Sequence, residues 1–146
     1  MAQNIKAKVL LVDDEEEFIR TLAERLEIRG LRVTGANSGQ QAIELTDKQE
    51  FDAVIIDLAM PGMDGLTTLK HIKAHHPDTE ILMLSGQGTI KTSTAAMKLG
   101  AEDFLEKPVN IDELLDKIND ARKKRIVILQ KRSKKEIENI LKRKSW

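Results

Sequence analysis

A chain of 146 residues, 40% of them hydrophobic, can bury the core of one ordinary domain with room for an appendage, and its lack of cysteine excludes disulfides, zinc–thiolate sites and thiol catalysis. No apolar run approaches the ~20 residues needed to span a bilayer, and residues 1–9, MAQNIKAKV, lack the apolar core of a secretory signal, so a cytoplasmic location is expected. The zero net charge hides an asymmetry: residues 122–146 carry eleven Lys or Arg against Glu136 and Glu138, a net of +9, which leaves −9 on the first 121 residues and predicts an acidic body with a basic tail.

Residues 7–13, AKVLLVD, are a short run rich in β-formers and predict a buried strand. In residues 15–29, Phe18, Ile19, Leu22 and Leu26 recur at helical spacing between charges, and Gly30 ends the helix. LRVTGA (31–36) is a second strand, and Ser38 stands where it would cap the next helix, QQAIELTDK. FDAVIID (51–57) is a third strand and residues 64–75 a third helix, ending before Pro77. EILMLS (80–85) is a fourth strand, residues 89–100 a fourth helix closed by Gly100, and DFLE (103–106) a fifth strand. The last helix starts near Asp112, capped by Asn110 or Asp112, and has no clear stop. Ile111, Leu114, Leu115, Ile118 and Ala121 mark one apolar face; a sparser stripe continues through Ile126, Leu129, Ser133, Ile137, Ile140 and Leu141 while the polar face turns basic. Five β-α repeats with continuous apolar strands predict an α/β fold, a doubly wound five-stranded parallel sheet covered on both faces, with an extended C-terminal helix.

In an open parallel sheet, ligands sit outside the carboxyl ends of the strands. Strand one ends in Asp13 and Asp14, strand three in Asp57, strand four in Ser85, and strand five near Lys107, followed by Pro108. Three carboxylates in one pocket repel unless some protonate or a cation neutralises them. An all-oxygen set of this kind suits Mg²⁺ with open water positions better than a caged Ca²⁺. Lys107 offers a positive charge to an incoming phosphoryl group and Ser85 offers a donor. A carboxylate needs no general base to act as a nucleophile at neutral pH, so the set reads as phosphoryl transfer onto an Asp. Taken singly, each residue has a plainer role: Asp13 or Asp14 as a cap of the first helix, Ser85 as a cap of the next, Lys107 as a solvated charge. The chemistry rests on their coincidence at the ends of strands one, three, four and five. His71, His75 and His76 read as ordinary exposed residues, and Met60, Met63, Met83 and Met97 as packing and loop residues.

The stretches LLVDDE (10–15), IIDLAMPGMDG (55–65), LSGQG (84–88) and GAEDFLEKP (100–108), in this order and spacing, make residues 7–121 resemble the receiver domain of response regulators in two-component signalling. The resemblance implies a flavodoxin-like fold in which Asp57 is the phosphoacceptor, served by the phosphohistidine of a sensor histidine kinase or a phosphotransfer protein. It implies Mg²⁺ held directly by Asp14 and Asp57, through water by Asp13, and by the backbone carbonyl of Ala59. Lys107 would pair with the phosphoryl oxygens, with its bond to Pro108 cis. Ser85 would turn towards the arriving phosphoryl group, and Phe104, at a switch position where tyrosine is commoner, would swing inward. The surface of the fourth helix, fifth strand and fifth helix would then change and control a downstream protein. Such a domain is a signalling module rather than an enzyme, catalysing only its own phosphorylation and slow autodephosphorylation. Ala59 and Gln87 occupy the two variable positions that tune phosphate lifetime in the family.

A phosphatase with an aspartyl nucleophile is the rival enzymatic reading; it would carry a general acid two residues after Asp57, where Ala59 stands. No GxxxxGK[ST] motif supports a P-loop enzyme. A degenerate receiver used only for binding is opposed by the intact Asp14, Asp57, Ser85 and Lys107. The expected division is a receiver domain over residues 1–121 and a basic helical extension over 122–146, too short for a DNA-binding output domain with its own core. The expectation is therefore a stand-alone receiver, the alternative a receiver fragment of a longer transcriptional regulator. The tail reads first as a solvated helix, pairing weakly as a coiled coil through Ile126, Leu129, Ile137 and Ile140, then as a dock for an acidic partner, and last as a site of nonspecific nucleic-acid contact. Homodimerisation is expected through the fourth helix–fifth strand–fifth helix face or through this helix, with no specific nucleic-acid recognition and no membrane insertion.

Overall fold

The computed structural model describes residues 7–60, 62–86 and 90–143. Five strands, β1 (Lys8–Val12), β2 (Arg32–Ala36), β3 (Ala53–Asp57), β4 (Ile81–Ser85) and β5 (Asp103–Glu106), alternate with α1 (Glu16–Ile28), α2 (Gly39–Lys48), α3 (Gly65–His75), α4 (Ile90–Lys98) and α5 (Ile111–Arg143). The strands form one sheet in the order β2-β1-β3-β4-β5, and every adjacent pair is parallel.

Side chains alternate across each strand and so feed two cores. Leu10, Val12, Val54, Ile56, Ile81 and Met83 face Ala42 and Ile43 of α2, Leu69 and Ile72 of α3, and Ala96 of α4. Val9, Leu11, Ala53, Ile55, Leu82 and Leu84 face Leu22 and Leu26 of α1 and Leu114, Ile118 and Ala121 of α5. Burial on both faces explains why β3 and β4 read as unbroken apolar runs.

The helix starts follow the expected capping chemistry in three cases. The Gln41 N–H donates to Ser38 Oγ at 3.1 Å, the Thr67 N–H to Asp64 Oδ1 at 2.8 Å, and the Glu113 N–H to Asn110 Oδ1 at 3.0 Å. The first helix differs: its N-cap residue is Glu15, which makes no side-chain cap. Asp13 instead accepts the Glu15 N–H at 2.9 Å, bracing the turn between β1 and α1.

Helix α5 is continuous over 33 residues, about 50 Å at 1.5 Å per residue. Its first turns are buried through Leu114, Ile118 and Ala121, whereas Ile126, Val127, Ile137, Ile140 and Leu141 are exposed. Its basic face is not uniformly solvated, contrary to expectation. Arg125 pairs with Glu50 at 3.3 Å and Asp52 at 3.4 Å, Lys124 with Glu102, and Arg132 with Asp78. These acids sit in the loops entering β3, β5 and β4, so the helix is latched across the pole of the sheet opposite the strands' carboxyl ends.

Candidate functional site

The strand order reverses between β1 and β3: from β1 the chain crosses to β2 on one side, and β3 lies on the other. The crevice at such a switch point is where doubly wound sheets bind ligands. Asp13 and Asp14 follow β1, Asp57 ends β3, Ser85 ends β4, and Lys107 follows β5, so the strands deliver all five expected residues to this edge. One carboxylate oxygen from each of Asp13, Asp14 and Asp57 lies within 4.8 Å of the others. Asp13 and Asp57 are buried and Asp14 is exposed, giving the cluster one open side.

Lys107 closes the set. Its Nζ donates to Asp13 Oδ2 at 2.7 Å and lies 3.8 Å from Asp57 Oδ1. Its backbone N–H donates to the Ser85 carbonyl at 2.8 Å, which ties the β5–α5 loop to the end of β4. The Lys107–Pro108 bond is cis, as the resemblance implied. Ser85 is 3% exposed. Asp57 Oδ1 also accepts the Ala59 N–H at 3.4 Å, so Ala59 enters the site through its amide.

The Asp57 carboxyl is held above the ordinary carboxylate range. Burial is the main cause and the Asp13 charge the next, with the Lys107 ammonium and the Ala59 N–H opposing. The acid that ends β3 is thus kept at an electrostatic cost, which a cation on the open side would relieve. Three carboxylates converging within 4.8 Å, with no sulfur or imidazole among them, suit a hard cation such as Mg²⁺. No other group of three acidic or histidine residues is so placed among the described residues. His71 and His75 stack on α3, and His76 pairs with Asp47 at 2.7 Å, away from the cluster.

Two glycines shape the loop behind Asp57. Gly62 has φ +77°, a conformation that L side chains rarely adopt. Gly65 opens α3 so close to the strand end that a Cβ there would meet the Asp57 carbonyl oxygen at 2.4 Å. Phe104 is half-buried on β5, opposite Met83, and packs against the α2–α3–α4 core. Gln87 and Pro61 lie outside the described residues. Phe18 is the site neighbour that periodicity concealed: it reads as one member of the α1 core stripe, yet the Lys107 Nζ stands 4.1 Å from its ring centroid.

The model of the response regulator receiver domain matches residues 9–119, and the chain belongs to that family. It is the receiver domain of a two-component response regulator, a signalling domain with the flavodoxin-like receiver fold. Over 106 residues it is 41% identical to the transcriptional regulatory protein ZraR of Escherichia coli (strain K12), covering 73% of this chain and 24% of ZraR. The crystal structure of a response regulator receiver domain protein from Clostridium thermocellum matches with a TM-score of 0.80 and 32% identity, over 84% of this chain and 98% of that one. A response regulator from Burkholderia pseudomallei, whose crystal structure contains a phosphorylated aspartic acid, a calcium ion and citrate, matches with a TM-score of 0.74 and 30% identity, over 92% of this chain and 75% of that one. The chain spans about a quarter to about half of the length of the curated relatives it matches. No helix among the described residues is long and apolar enough to cross a membrane.

Proposed function

We propose that Asp57 accepts a phosphoryl group from the phosphohistidine of a sensor kinase or phosphotransfer protein. The observation that carries this reading is the convergence of three carboxylates within 4.8 Å under the Lys107 ammonium at the β1/β3 switch point. An Asp57 carboxylate oxygen attacks phosphorus as the P–N bond to the donor histidine breaks, and the imidazole leaves with a proton from solvent. Lys107 moves from Asp13 towards Asp57 to meet the negative oxygens, and Ser85 donates to one of them. Asp14 and Asp57 would hold Mg²⁺ directly and Asp13 through water, with the Ala59 backbone carbonyl as a further protein ligand. When bound, the ion supplies positive charge that neutralises the acids and favours phosphoryl transfer.

The phosphoryl group then acts as a ligand that shifts the domain between two conformers. Ser85 and Phe104 read its arrival, and the α4-β5-α5 surface presents the change to a downstream protein in the cytoplasm. Homodimerisation through that surface or through α5 is one form the output takes. In this reading residues 1–121 are the receiver and residues 122–146 a basic extension of its last helix. A second reading, in which the same receiver governs transcription, is favoured by its likeness to ZraR, a transcriptional regulatory protein. Incubation with acetyl phosphate and Mg²⁺ tests the phosphoacceptor. The wild type should gain the mass of one phosphoryl group and Asp57→Asn none; an unchanged wild-type mass would sink the reading.

A further inference from the structure

We infer that Phe18 is a positioning residue for phosphoryl transfer, holding the Lys107 ammonium in place through the face of its ring. The inference rests on Asp57 being the phosphoacceptor. A lysine ammonium is a compact, strongly hydrated charge on a flexible stem, and nothing in the stem itself directs it into a cleft rather than into water. Here the side chain is only 18% exposed, and three groups among the described residues stand close to its Nζ. Asp13 Oδ2 is at 2.7 Å, Asp57 Oδ1 at 3.8 Å and the Phe18 ring centroid at 4.1 Å. The ring stands well inside the roughly 6 Å at which a cation over an aromatic face is attracted.

The three neighbours act differently. Asp13 holds the ammonium by a short directional bond and, alone, would keep it there. The ring attracts the cation across its whole face, takes the place of water on that side, and leaves the ammonium free to slide from Asp13 towards Asp57. Phe18 is itself held in place, because it packs against the α1–α5 core that includes Leu11, Leu22 and Leu114 while its face meets Lys107. A leucine would keep the apolar packing and lose the ring quadrupole.

That difference makes the inference testable by varying ring electronics at nearly constant shape. The rate of phosphorylation by acetyl phosphate with Mg²⁺ should fall about three- to tenfold in Phe18→Leu and return close to the wild-type rate in Phe18→Tyr. Phenylalanines bearing one, two and three ring fluorines, placed at position 18 alone, should lower the rate stepwise as the ring loses its negative face. In each variant an NMR measurement of the Lys107 ε-methylene reports the contact: ring-current displacement in the wild type, lost in Phe18→Leu. Equal slowing in the leucine and tyrosine variants, or a flat fluorine series, would assign Phe18 to packing alone and overturn the inference. If the wild type is phosphorylated and Phe18→Leu keeps its rate, the inference fails while the reading of Asp57 stands. If the wild type gains no phosphoryl group, both fall together.

Discussion

Removing the proposed phosphoacceptor, Asp57, should make the domain more stable. Asp57 is 5% exposed and its carboxyl is raised above its ordinary range, by burial first and by Asp13 next. An acid raised in the folded state favours folding most when protonated, so that contribution is present below the ordinary carboxylate range and is lost as pH rises through the raised folded value. At neutral pH the ionised side chain therefore opposes folding. With an effective dielectric of about 20, charges 4.8 Å apart, the outer limit for the three acids, repel by roughly 3.5 kcal/mol. The Lys107 ammonium at 3.8 Å returns roughly 4.4 kcal/mol. Repulsion from two acids exceeds this attraction, and the exposure of Asp14 trims its share by solvent screening. Asp57→Asn should thus stabilise the metal-free domain at pH 7 by about 1–2 kcal/mol, raising Tm by a few degrees. Urea titrations in EDTA from pH 4 to pH 8 measure this: the two proteins should converge at the acid end and diverge towards neutrality. Adding Mg²⁺ should stabilise the wild type more than the variant. A variant no more stable than wild type at pH 7 without metal would refute the claim that the site holds its acids at a cost.

Lys107→Ala should slow phosphorylation by acetyl phosphate on the order of a hundredfold, the usual cost of losing a preorganised electrostatic group, and stopped-flow or mass kinetics would read it. Gly65→Ala drives a Cβ to within 2.4 Å of the Asp57 carbonyl oxygen; it should destabilise by about 1–3 kcal/mol in urea and lower the phosphorylation rate as the strand end shifts. Arg125→Ala removes the contacts to Glu50 and Asp52 from a side chain that is 12% exposed. It should cost about 1–2 kcal/mol and raise amide exchange in the second half of α5, leaving the phosphorylation rate unchanged.

The site was legible in the sequence because it is built at strand ends. A buried parallel strand announces itself as an apolar run, and the first polar residue after it marks the functional edge. AVIID stopping at Asp57 and ILMLS stopping at Ser85 carry that information locally. Position 18 carries none: a Phe at helical spacing from Leu22 and Leu26 looks like core, and only the return of the chain at Lys107 gives its face a second use. The polar latch at the opposite pole was hidden for the same reason. Periodicity identifies the basic face of α5, but Arg125 and Asp52 are 73 residues apart, and their meeting depends on where the loops below β3, β4 and β5 end. The constraint on Gly65, the approach of α3 to the Asp57 carbonyl, likewise exists only once β3 and α3 are packed.

The most direct measurement is to phosphorylate the full chain with acetyl phosphate and Mg²⁺, reduce it with borohydride, and map the peptides. Reduction converts an aspartyl phosphate to homoserine and so marks the acid that carried the group. Homoserine at position 57 alone is the predicted result. Homoserine at position 13 or 14, or no conversion in a fully folded sample, would contradict the assignment of Asp57 as the acceptor.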